Sequence, residues 1–316
     1  MIVDAYSHTG LPRFQTVANY RDIMRREGIG KAVLSSFDSS PDLAGIHAAF
    51  SEQPEIFRGL GVPLGKDHAE IAAGARAQLA AGFTGLRLTA RDVLERPFLL
   101  DIVGEAGGVV LAVGRLAEAA FAEALHDALR RHEGLAVIGG HFAGGGEPHE
   151  LEQDAVARLF AHPRFAVVFS RHGGYPTSSI RLWARSIVAR AGWSRILWGA
   201  EAPLLFWRNE TMPAAMAWID FLEPTAEERA AFFGGNAERI YFARPHRPAP
   251  LALPFDPWTY INEVPAGLWA NGLPVPQELA GRLVQDWLAT GGEGTLGGHL
   301  ETVLQRALPK LPKSSG

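Results

Sequence analysis

An α/β fold is predicted, a (β/α)8 TIM barrel with a C-terminal Pro-rich and helical extension. Three observations lead there. Short β-type runs alternate with longer helical stretches from Met1 to about Phe242. Several runs are apolar at consecutive positions, as in VVLAV and LAVIG, which suits strands covered on both faces in a parallel sheet. Eight βα units in about 240 residues is the size of a closed barrel. A doubly wound open sheet usually has fewer strands, and no G-x-G-x-x-G turn follows the first run.

The elements follow in order. Met1–Tyr6 is the first strand, and Phe14–Glu27 carries helical spacing. Lys31–Phe37 (KAVLSSF) and Ile56–Val62 are the next strands, with a helix near Asp42–Glu52 between them. Asp67–Ala81 is crowded with Ala, the best helix former. Phe83–Thr89 (FTGLRLT) precedes a helical segment around Arg96–Glu105, and Val109–Val113 precedes Leu116–His132. Leu135–Gly139 leads to a helix at Glu150–Ala161, and Phe165–Ser170 leads to Ile180–Ala191. Ile196–Trp198 closes the series, ahead of a helix around Met212–Leu222.

Residues 1–244 therefore form the barrel, and 245–316 the extension. The extension holds ten of the 21 prolines, which reads as a crossing segment rather than a ninth βα unit. Gln277–Leu288 and Gly298–Leu308 then show amphipathic helical spacing. Trp258, Tyr260, Trp269 and Trp287 are too many aromatics for a free tail, so the extension is expected to pack on the barrel or across a homodimer interface. Only Lys310–Gly316 is expected to fray.

Composition narrows the function classes. Lys plus Arg is 30 and Asp plus Glu is 34, a net charge of −4 without long runs, so no nucleic-acid footprint or polybasic membrane patch is expected. The absence of cysteine excludes a disulfide scaffold, a thiolate zinc site and a Cys nucleophile. The opening MIVDAYSHTG has no basic or apolar leader region, and no run reaches about 18 apolar residues, so a cytoplasmic location is expected.

In such a barrel the chemistry sits at the C-terminal ends of the strands. The first run ends with Tyr6 and His8, which share one strand face. Arg87 and Thr89 close the fourth run and Arg115 follows the fifth. His141 ends the sixth, Ser170, Arg171 and His172 the seventh, and Glu201 the eighth. Histidines with a carboxylate suit a divalent metal, or general acid–base work without one. Arginines suit a carboxylate-bearing, hence anionic, small-molecule substrate. His172, beside Gly173 and Gly174, reads as part of an exposed loop, and Glu201, within an apolar run, reads as buried with Arg171 or Arg115 as a possible ion-pair partner. Gly144–Gly146 lacks the Lys and Ser/Thr of a phosphate-cradling loop, and Ser170 lacks a G-x-S-x-G elbow.

At these strand ends the chain resembles the amidohydrolase superfamily, in the amidohydrolase-related branch that includes aminocarboxymuconate-semialdehyde decarboxylase-like enzymes. MIVDAYSHTG resembles the I-D-x-H-x-H-x-G strand of that branch, and AGFTGLRL its G-F-x-G-I-K-L strand. GLAVIGGHFAGG resembles the strand that ends in a single metal-binding or catalytic His. RILWGAEAP resembles R-I-L-F-G-S-D-x-P, and FFGGNAERIYF the closing G-N-A-x-R-L-F helix. The departures are specific: Tyr6 stands for the first His of the pair, Glu201 for the last Asp, and Leu111-Ala112-Val113 offers no ligand where many relatives have a His.

The resemblance implies hydrolysis of a C–N or C–O bond, or decarboxylation, of a small carboxylated or cyclic substrate. In a metal-bearing version His8, His141 and Glu201 hold zinc or another divalent ion. In a metal-free version Glu201 or His141 activates water, Tyr6 donates a hydrogen bond or acts as an acid, and Arg87, Arg115, Arg171 and His172 bind substrate. The competing expectation is a catalytically degenerate barrel kept for binding a ligand or partner, in which Tyr6 or the C-terminal segment plugs the point where His8, His141 and Glu201 would converge.

Overall fold

The structure, a computed structural model, describes residues 1–10, 13–38, 40–208 and 210–257. The extension's two expected helices and its Trp and Tyr residues from Trp258 onward lie outside the described residues. Eight parallel strands lie in sequence order β1 to β8: Ile2–His8, Ile29–Ser35, Phe57–Gly61, Gly85–Thr89, Val109–Val113, Ala136–Gly139, Phe165–Phe169 and Ile196–Trp198. Helices α1 (Val17–Glu27), α2 (Leu43–Glu52), α3 (His68–Ala80), α4 (Ala90–Glu95), α5 (Phe98–Glu105) and α6 (Ala119–Arg131) surround the first five strands. Asp154–Ala161 and Thr177–Ala191 continue the ring.

The local chemistry explains the boundaries. Thr16 caps α1 by accepting from the Asn19 amide, and Gly28, at φ 70°, ends it in the left-handed conformation that glycine adopts without strain. In α6, Phe121, Leu125 and Leu129 recur at four-residue spacing and are fully buried. Each such side chain contributes about 1.5–3 kcal/mol of burial. At the start of β4 a Cβ on Gly85 would stand 1.7 Å from the Val109 carbonyl oxygen, so only glycine lets β4 and β5 approach.

Two layers of core result. One lies between strands and helices. The other fills the barrel, with Val33, Leu60, Leu111, Ile138, Val168 and Leu197 pointing inward. The ladder runs unbroken from β1 to β8, and β8 returns to β1 through the chain that follows it. There the His8 amide donates to the Ala202 carbonyl at 2.7 Å, and the Glu201 amide to the Tyr6 carbonyl at 2.8 Å. Asp4 reinforces this seam by accepting from the Ala200 amide (2.9 Å) and the Tyr6 amide (3.0 Å). Its second oxygen accepts from the Tyr20 hydroxyl at 2.5 Å and from Ser7. After the barrel the chain crosses the outer face of α2 and α3, where the Ala249 amide donates to the Ala81 carbonyl at 3.1 Å.

Candidate functional site

Three strand ends present their side chains from left-handed backbone. His141 follows β6 at φ 53°, Arg171 follows β7 at φ 63°, and Glu201 follows β8 at φ 54°. None is glycine, and each such conformation costs on the order of 1–3 kcal/mol. The surroundings hold them there. Phe142 and Ala143 continue the left-handed turn, whose carbonyls accept from Tyr175 Oη (at His141, 3.2 Å) and Trp183 Nε1 (at Phe142, 2.7 Å).

His141 Nε2 faces Glu201 Oε1 at 3.5 Å, with both side chains buried. On the far side of the imidazole, Nδ1 meets Ser170 Oγ at 3.1 Å. Burial holds His141 neutral, well below its ordinary value, reinforced by the charges of Arg171, Arg87 and Arg208. Burial pushes Glu201 upward, opposed by Arg208 and Arg171. Arg208 Nη2 lies 2.8 Å from Glu201 Oε2, and Arg208 Nε donates to Glu210 Oε1.

From β1, the Tyr6 ring stands against both His8 and His141, with centroid separations of 4.7 and 5.1 Å. Its hydroxyl accepts from Arg87 Nε on β4 at 3.1 Å, while burial raises the phenol above its ordinary value. The Arg87 guanidinium lies over Phe37, 4.2 Å from the ring centroid. His8 stacks on Phe14 (4.9 Å, 17°) and meets Phe37 edge-on at 5.0 Å. Phe14 in turn stacks on the half-exposed Trp207 at 6.0 Å. Burial, with the Arg87 charge, holds His8 neutral.

The structure thus gathers Tyr6, His8, Arg87, His141 and Glu201 at one end of the barrel. Arg115 is turned outward, half-exposed, and pairs with Glu150. The expected partner of Glu201 is corrected: Arg208 holds it at 2.8 Å, not Arg115. The expected exposure of His172 is also corrected, because it is buried against Phe142 and Trp218. Neither of its ring nitrogens has a hydrogen-bond partner among the described residues, and burial pushes it down to about 3.

A catalytic zinc site usually takes three protein ligands. Among the described residues no three His, Cys, Asp or Glu side chains gather as a metal site. The set His8, His141 and Glu201 therefore does not come together as such a group. The place of the first family His holds Tyr6 with a guanidinium on its hydroxyl, His8 is enclosed by aromatic rings, and Glu201 is engaged by Arg208. These residues do not fit a divalent ion.

Arg208 and Ser170's pairing with His141 were not read from the sequence. Arg208 lies seven residues past Glu201, at the end of the four-residue helix Leu204–Trp207, a turn too short to show a period in the sequence. Phe14 and Phe37 carried no signal beyond ordinary core aromatics.

Comparison with known proteins places this arrangement. The amidohydrolase family model matches residues 3–243. A structure described as a probable 2-pyrone-4,6-dicarboxylic acid hydrolase from Acinetobacter baumannii, with citric acid bound, aligns with TM-score 0.60 at 15% identity, covering 76% of this chain and 99% of that one. 2,6-Dihydroxybenzoate decarboxylase from Rhizobium aligns with TM-score 0.59 at 15% identity, covering 76% and 98%. Dihydroxybenzoic acid decarboxylase from Polaromonas sp. JS666, with bound manganese and the inhibitor 2-nitroresorcinol, aligns with TM-score 0.60 at 14% identity, covering 76% and 96%. No curated protein matches the chain. With the family match running from β1 past β8 and through both sides of the strand-end cluster, the chain belongs to the amidohydrolase family.

Proposed function

We propose that the chain hydrolyses a C–N or C–O bond of a small carboxylated or cyclic substrate, or decarboxylates one, at the strand-end cluster. The observation that carries this is the buried pair His141–Glu201, 3.5 Å apart beside the Tyr6–Arg87 hydrogen bond. Glu201 is the base. Burial raises its carboxyl above the ordinary glutamate range, which strengthens it as a base, and holds the His141 imidazole below its own ordinary value, which weakens it. His141 positions the water or substrate group against Glu201, steadied by Ser170.

In hydrolysis Glu201 takes a proton from water, the water oxygen bonds to the acyl carbon, and the C–O or C–N bond breaks. The same proton then passes to the leaving atom. Tyr6, which already accepts from Arg87, has its own hydroxyl hydrogen free to meet the negative charge that develops on the acyl oxygen. Arg171 and Arg87 bind the substrate carboxylate. Carboxylated ligands in the similar structures, citric acid in the Acinetobacter protein and 2,6-dihydroxybenzoate in a 2,6-dihydroxybenzoate decarboxylase, support this substrate class. No step is routed through a metal ion, because the donor set does not fit one.

The test is a panel of cyclic esters, anilides and hydroxybenzoates, with released acid and carbon dioxide measured separately. On the substrate found, Glu201→Gln is expected to lower kcat/KM by about 10²–10⁴-fold while leaving the far-UV circular dichroism of the folded barrel unchanged. Activity within twofold of wild type would remove Glu201 from the chemistry.

A further inference from the structure

At the opposite end of the barrel lies a pocket of about 310 Å³ that the strand-end chemistry does not use. It is walled by Arg58 from the start of β3, Thr84 just before β4, and Tyr241, Arg244, His246 and Arg247 from the chain that closes the barrel's base. Among the described residues no Asp or Glu lines it. Glu238, the carboxylate that influences Arg58, is bound to Lys31 Nζ at 2.7 Å.

Part of this cationic wall has a structural task. Arg58 donates through Nη1 to the Phe57 carbonyl at 3.0 Å and to that of Pro54, and through Nη2 to the Phe242 carbonyl at 3.4 Å. Arg244 donates to the carbonyls of Ile240 (2.8 Å), Gly134 (3.0 Å) and Gly107. These bonds stitch the base together and hold both guanidinium groups in place. Four buried polar atoms of the lining residues have no hydrogen-bond partner among the described residues: Arg58 Nε, Thr84 Oγ1, Tyr241 Oη and His246 Nδ1. Arg58 is only 6% exposed and Tyr241 fully buried. Native interiors leave few polar atoms unsatisfied, and a cluster of them in one pocket signals an absent ion or water. Three guanidinium groups without a lining carboxylate select an anion.

We propose that this basal pocket is a binding site for a small oxyanion of the phosphate class, either free phosphate or the phosphate of a small phosphomonoester. The anion accepts from Arg58 Nε, Thr84 and Tyr241 and balances the charge of Arg244 and Arg247. Reaching these buried donors requires the rim of the pocket, where Pro245 and Arg247 are exposed, to move aside. Occupation would add charge-assisted bonds at the joint between β3, β4 and the closing chain, and so stabilise the folded barrel.

The experiment measures binding of inorganic phosphate by calorimetry and by thermal unfolding, with sodium chloride at equal ionic strength as the control. At a hundred times its dissociation constant, phosphate is expected to suppress unfolding about 100-fold. Tyr241→Phe removes one hydroxyl that has no partner in the empty pocket, so the variant should fold normally and bind phosphate about ten- to a hundredfold more weakly. Arg247→Ala, an exposed position, should also weaken binding. A parallel arm with ribose 5-phosphate separates the sources: tighter binding than phosphate identifies a phosphomonoester, equal binding the free ion. Stabilisation no greater than that by sodium chloride, or unchanged phosphate affinity in Tyr241→Phe, would overturn the proposal.

Discussion

Replacing Arg208 by Met isolates the electrostatics of the strand-end cluster. Arg208 Nη2 and Glu201 Oε2 are 2.8 Å apart, and the two side chains are 19% and 3% exposed. At an effective dielectric constant of about 20 their attraction is about 6 kcal/mol. Desolvation cancels much of it in the intact pair, but Arg208→Met would leave the carboxylate buried without its cation, at an expected cost of about 3–5 kcal/mol. The cost is pH-dependent. Burial already raises Glu201 in the folded state, and Arg208 is the largest influence lowering it, so the variant's carboxyl rises further. Between the ordinary value of a glutamate and that raised one, the unfolded chain releases a proton that the folded chain keeps. Stability therefore falls as pH rises through this window, and it is retained below it. Urea unfolding should show a penalty that is small at pH 5 and full at pH 8, and Glu201→Gln combined with Arg208→Met should recover most of it. The lost contact with Glu210 adds a pH-independent part. A penalty equal at the two pH values, or no recovery in the double variant, would refute the buried-carboxylate account.

Further outcomes follow from other parts of the structure. His172 is held at about 3, below its ordinary 6.5, so the unfolded chain binds a proton in that interval that the folded chain does not. Stability is then lost as pH falls through the interval, by about 1.4 kcal/mol per pH unit. His172→Phe should remove that one-proton slope in acid-side urea titrations and leave neutral-pH stability equal or about 1 kcal/mol higher. Because the donor set does not fit a divalent ion, the activity should survive dialysis against a chelator, with metal analysis and kcat/KM measured on the same sample. Gly144 stands at φ 84°, and a Cβ there would lie 2.0 Å from the Gly114 carbonyl oxygen. Gly144→Ala is expected to cost about 2–5 kcal/mol by thermal unfolding, combining left-handed strain with a backbone clash.

The barrel was legible because its signal is repeated. VVLAV and ILW fall on β5 and β8 at the expected boundaries, and the other strands shift by a few residues. The main omission is α4, where the Thr89-x-x-Asp92 capping box marks the helix start directly after β4. At the site, the strand-end rule found Tyr6, His8, Arg87, His141 and Glu201, since alternation and strand termini are sequence-local. It misjudged His172, because flanking glycines describe backbone freedom and not what Trp218 and Phe142 cover. Arg208 was out of reach for a different reason. It closes the four-residue helix Leu204–Trp207, and a single turn is too short to show a period in the sequence.

The seam between β1 and the chain after β8 joins closure of the barrel to assembly of the site. The two backbone bonds that bridge it run from the His8 amide and to the Tyr6 carbonyl, and their partners are Ala202 and Glu201. Separating the seam therefore pulls Tyr6 and His8 away from Glu201 in one motion. Exchange of the His8 and Glu201 amides with solvent deuterium would count the openings of the barrel. The same exchange gives the fraction of time in which Glu201 and the Tyr6 phenol are parted, so two backbone protons report how much of the time the cluster is assembled.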